Sequence, residues 1–159
     1  MGAHHYNLEV VPRGYIEQFS NPIPMKIIYE GLQPWLDEKP DEKLLDSLRI
    51  LLPIDKSWGV EEYVSANDWG SDIRIWKEDE IIENILFRYS EIDDWDLMIS
   101  FLNIVRESDY LLVGNKGYII EPEERKILID FEILQLANLR MIQNPRSLEQ
   151  QKKLLSIIN

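Results

Sequence analysis

Acid–base chemistry near neutral pH usually falls to histidine, and this 159-residue chain has two, His4 and His5, adjacent and close to the N-terminus. Neither lies within a G-x-S-x-G elbow or any other nucleophile motif, and a metal site built on them would need carboxylates from elsewhere in the fold. A mobile terminal pair is the expectation. A second set is Asp109 with Glu124 and Lys126, whose E-x-K spacing matches the acids and lysine that hold magnesium and polarise a scissile phosphate. Such triplets arise by chance in charged turns, and no basic groove accompanies this one. The run Asp93-Asp94-Trp95-Asp96 lacks the alternate ligands, central glycine and distal glutamate of a calcium loop, and suits the first turn of a helix instead. Phosphate-binding glycine loops are absent, and Gly114-Asn115-Lys116-Gly117 reads as a hairpin turn. No cofactor or metal is expected, and the protein is expected not to be an enzyme.

Charge is the more informative signal. The net charge is -12, and residues 61–96 hold twelve acids against Arg74, Lys77 and Arg88. Nine of the excess negative charges therefore fall in one stretch, which also carries Trp69, Trp76, Trp95, Tyr63, Phe87 and Tyr89. Acids mixed with large aromatics suit a surface that holds a basic protein partner. The same charge repels phosphates, so nucleic-acid binding is not expected. Absence of cysteine removes disulfides and thiolate chemistry, and no apolar run approaches the roughly 18 residues of a membrane span. A cytoplasmic protein with no membrane partner is the expectation.

The elements that must position these residues can be read from periodicity. Residues 6–11 and 14–19 read as short strands separated by Pro12, while 27–36 cannot be assigned. Leu44, Leu45, Leu48, Leu51 and Leu52 mark a helix over 41–52, entered through Asp41 and Glu42 and stopped by Pro53. Residues 55–68 read as a connection with a short strand at 61–64, followed by a turn at 67–70. Residues 71–77 and 81–89 alternate as a β-hairpin, with Ile73, Ile75, Ile85, Phe87 and Tyr89 facing the core. A helix follows over 93–107 on Leu97, Met98, Phe101, Leu102 and Val105, then a second hairpin over 110–120. Residues 126–129 allow one more strand, 131–143 a helix, and Ser147 with Gln150 a capping box for a terminal helix. The sum is one α+β domain over 1–159: an antiparallel sheet of hairpins with helices packed on one face.

Trp76 then shares a strand face with Arg74, Asn84 and Arg88, on the side of the hairpin away from the core. Exposed there, it would anchor a partner; buried, it would belong to the packing. The candidate partner-binding set is Trp76, Arg74 and Arg88 with Glu78, Asp79, Glu80 and Glu83 around the hairpin tip, whereas Trp69 and Trp95 fit better as plugs at the ends of the core.

The acidic-aromatic segments 67–76 and 78–96, in a small cysteine-free chain, resemble in general type the bacterial immunity proteins. That resemblance implies a cationic toxin as partner, inhibited by covering its active site, with encounter steered by charge and the complex held by buried aromatics. Two other readings stand beside it: an adaptor that uses the same surface for some other basic protein, and a metal-dependent hydrolase on Asp109, Glu124 and Lys126.

Overall fold

A computed structural model of the chain describes residues 5–52, 54–58, 61–65 and 70–139. Strand β1, Tyr6–Val11, is followed by the short helices α1, Arg13–Ile16, and α2, Met25–Glu30, and by α3, Glu42–Leu51. Strands β2, Ile54–Trp58, β3, Glu61–Ser65, β4, Asp72–Glu78, and β5, Ile81–Tyr89, come next, then α4, Trp95–Glu107, the short strands β6, Leu111–Val113, and β7, Ile119–Ile120, and α5, Glu124–Leu139. All seven strands join one sheet in the order β2-β3-β4-β5-β1-β6-β7, and every pairing is antiparallel. The expected α+β class is the one observed. Among the described residues no helix is long and apolar enough to cross a membrane.

Alternation along β1, β4 and β5 divides the sheet into two faces. Tyr6, Leu8 and Val10 of β1, Ile73 and Ile75 of β4, and Ile85, Phe87 and Tyr89 of β5 enter the main core. They meet Leu44, Leu45 and Leu48 of α3 and Met98, Phe101, Leu102 and Val105 of α4, with Phe87 stacked on Phe101 at 4.2 Å between ring centres. Both helices begin on the aspartate that the sequence offers: Asp41 accepts from the Lys43 N–H at 3.1 Å, and Asp94 from the Asp96 N–H at 3.2 Å. Asp93 instead accepts from the Ser71 N–H, tying the entry of α4 to the start of β4. The aspartate run is thus consumed by capping and by this tie.

The opposite face is covered only in part. Val11, Leu111 and Val113 meet Ile16, Ile23 and Leu32 in a second, smaller core built by residues 12–32. Here the strand expected at 14–19 is replaced by the helical turn α1. With β5 and β6 already on either side of β1, no position beside β1 remains for it, and Arg13 fixes the turn by a two-pronged bond to Glu121, at 2.8 and 2.9 Å, and a contact of 2.9 Å to Asp109. The unassigned 27–36 region contributes α2, and part of the expected connection at 55–68 is strand β2. Gly117 has φ +84°, and a side chain there would strike the Ile23 carbonyl, whose residue also donates to Gly117 O at 2.8 Å.

The strand expected at 126–129 is also a correction: these residues belong to helix α5. Ile127, Asp130 and Ile133, three residues apart, face inward, and the polar Asp130 in the middle of that stripe conceals the helical period. The turn expected at 67–70, Trp69 as a core plug and the terminal helix after 144 lie outside the described residues, apart from Gly70.

Candidate functional site

The candidate residues separate into an internal polar network and an exposed corner. On the second sheet face, β4 presents Asp72, Arg74 and Trp76 opposite Arg88, Leu86 and Asn84 of β5, with Asn7 and Glu9 of β1 beyond them. Trp76, Arg74, Asn84 and Arg88 do share one face, as the alternation predicts. The two arginines, however, converge on Asp72, which is 7% exposed: Arg88 donates to it at 3.1 Å, and the Arg74 Nε lies 3.4 Å away. Burial pushes the Asp72 carboxyl above its ordinary value, and the guanidiniums of Arg88 and Arg74 oppose that shift.

His5 completes this network. Its Nδ1 lies 3.1 Å from an Arg88 nitrogen and its Nε2 3.2 Å from the Gly70 carbonyl. A guanidinium can only donate, so Nδ1 accepts and the ring proton belongs on Nε2, facing Gly70 O. His5 is therefore a seated structural residue, whereas the sequence had placed it in a mobile pair.

Trp76 is half-buried and lies across from Asn84. The Asn84 amide donates both to Glu9 Oε2 at 2.8 Å and to the Leu32 carbonyl at 2.9 Å, clamping the 12–32 cover onto the sheet. Glu9 is pushed up to about 7 by burial, against the lowering effect of the Asn84 hydrogen bond. A third internal carboxyl, Asp130, is raised to about 6 by burial, against the lowering effect of the hydrogen bond that Tyr6 OH donates at 2.5 Å.

The exposed corner has a different construction. The β4–β5 turn places Asp79 at φ +51° and Glu80 at φ +66°, so both central residues take the left-handed conformation that asparagine and glycine fill most readily. Glu78, Asp79, Glu80 and Glu83 are all exposed, and Glu83 is raised by a hydrogen bond with Glu78, so two carboxyls meet at the tip. The sequence did not show what packs beside them. A groove of about 190 Å³ joins Glu83 and Asn84 to Glu30, Leu32 and Leu36. It shares Gly31, Gln33 and Leu36 with a groove of about 430 Å³ that extends to Asp37 and Glu38. On the other side of the tip, a cavity of about 320 Å³ brings Asp79, Glu80 and Ile82 against Trp35, Lys39, Pro40, Glu42 and Leu45. Leu36 is 68% exposed and Ile81 58%, two apolar side chains among carboxylates.

The structure does not assemble the hydrolase set. Asp109 pairs with Arg13, Glu124 accepts from the Trp95 indole N–H at 3.2 Å, and Lys126 pairs with Glu123 at 3.4 Å. Among the described residues no three His, Cys, Asp or Glu side chains are grouped to hold a metal ion. Trp95 packs edge-on against Tyr89 at 5.5 Å, consistent with an end plug. Glu30, Asp37, Glu38 and Glu42 are the residues that sequence reasoning missed; six acids between 30 and 46 against two lysines were the available signal. Compared with protein-family models, characterised proteins and solved structures, the chain matches none.

Proposed function

We propose that this chain is a non-catalytic acidic binding protein that captures a cationic protein partner, in its most specific form an immunity protein that neutralises a basic toxin by covering its active site. One observation carries the reading: two acidic segments far apart in sequence, residues 30–42 and 78–83, meet around open grooves that also expose Leu36 and Ile81. Carboxylates held in water with few bases among them raise the encounter rate of a positive surface, and apolar groups between them supply area to bury once contact is made. Arg74 and Arg88 act in this reading from inside, as the partners of Asp72 that set the strand face carrying Trp76. Trp76, half-buried beside Asn84, is the aromatic placed to be covered next.

The test begins with capture of the partner on the immobilised chain, its identification by mass spectrometry, and association kinetics over a salt series. The reading expects an arginine- and lysine-rich protein, for the immunity form a toxin encoded beside this chain. It expects capture to weaken when Glu78, Asp79, Glu80 and Glu83 are reversed to lysine. A partner without a basic surface, or capture indifferent to those reversals, contradicts it.

A further inference from the structure

We propose that the 320 Å³ cavity beside the β4–β5 tip is the anchor pocket for one arginine side chain of that cationic partner, an assignment that rests on the binding reading above. The cavity combines two surfaces that a long cationic side chain needs at once. Its inner wall is closed, with Trp35 2% and Leu45 3% exposed and Pro40 buried, and its accessible apolar surface is that of Ile81, 58% exposed, beside the half-buried Ile82. Its exposed rim carries the carboxylates of Glu42, Asp79 and Glu80. An aliphatic stem covers apolar surface while its charged head stays at the wet edge. The volume lies at the lower end of ligand-sized cavities, the scale of one side chain rather than of a folded element.

Several features favour arginine over lysine. Three carboxylates on one rim suit a planar fork that can address more than one of them, and a guanidinium is more weakly hydrated than an ammonium. Lys39 also lines the cavity, but its single charge leaves the three-carboxylate rim negative, and its exposed chain is free to turn toward solvent. The tip holds both acids in the left-handed conformation, which aspartate tolerates at Asp79 but which the turn alone would give to glycine rather than to Glu80.

The experiment is an NMR titration of the full chain with acetyl-Gly-Arg-Gly-amide, and with its citrulline and norleucine counterparts. Citrulline keeps the shape of arginine without the charge. The assignment expects saturable shifts at the Trp35 indole N–H, the Ile82 methyls and the Asp79 and Glu80 amides, with Kd on the order of 1 mM. Binding should weaken about tenfold for citrulline and again in the Asp79→Asn/Glu80→Gln variant, whose remaining spectrum should be unmoved. Citrulline or norleucine equalling arginine, shifts confined to the grooves at Gln33 and Leu36, or no saturable shift overturns the pocket. If acid reversal weakens partner capture while the peptide leaves this cavity untouched, the binding reading stands and the arginine pocket fails. If the peptide occupies the cavity but capture ignores Asp79→Asn/Glu80→Gln, the anchoring role fails.

Discussion

Asp72 and Asp130 are buried carboxyls and Glu9 a half-buried one, each supplied with partners, whereas Glu78, Asp79, Glu80 and Glu83 share a corner with Glu30, Asp37, Glu38 and Glu42 and stay in water. The interior acids order the sheet: Asp72 gathers two arginines, Glu9 helps to hold the clamp on the 12–32 cover, and Asp130 links α5 to β1. Their cost is desolvation, visible in the raised values of all three. The corner acids escape that penalty and crowd one another instead, an arrangement that a cationic partner would relieve. Equal formal charge thus does different work according to burial.

The largest effect is expected where the interior is tightest. A methyl group added at Gly114 would overlap the Asp130 carboxylate, so Gly114→Ala must displace it from Tyr6 and should destabilise the protein by about 2–4 kcal/mol in urea unfolding. Glu9→Gln sharpens the same side of the comparison. Because the folded carboxyl holds its proton up to about pH 7 and the unfolded one releases it near its ordinary value of 4.5, Glu9 costs stability progressively as pH rises between these values. The variant should gain up to about 3 kcal/mol at pH 8, nothing at pH 4, and lose that pH slope in denaturant titrations at several pH values.

At the corner, stability and binding should separate. Trp76→Ala should leave circular dichroism unchanged yet shorten the lifetime of the captured complex, at about 2 kcal/mol in dissociation kinetics; a variant that unfolds would assign Trp76 to packing alone. Asp79→Asn/Glu80→Gly gives the turn the residues that its left-handed backbone favours. It should raise stability by about 1 kcal/mol in thermal unfolding while slowing partner association. A gain in stability with no loss of association would show the acids to be only a solvated tip.

Much of this was legible in the sequence because it is local. The alternation of β4 and β5, the leucine stripe of α3 and the aspartate caps of α3 and α4 each follow from neighbours within a few residues. What escaped depends on contacts across the chain. β1 pairs with β5 and β6 rather than with the segment after it, so 14–19 has no strand to join. α5 hides its period because Asp130 enters the core by bonding to Tyr6, 124 positions earlier. The candidate site was half legible: charge counting found the hairpin tip, but only the fold brings Glu30, Asp37, Glu38 and Glu42 beside it.

The central claim, that the corner acids steer a cationic partner, is tested most directly by the association rate of the captured partner across a salt series, comparing the unaltered chain with one in which Glu78, Asp79, Glu80 and Glu83 are lysine. The account predicts association slowed by about tenfold or more at low salt, with a flattened salt dependence. Equal rates and equal salt slopes for the two chains would contradict it.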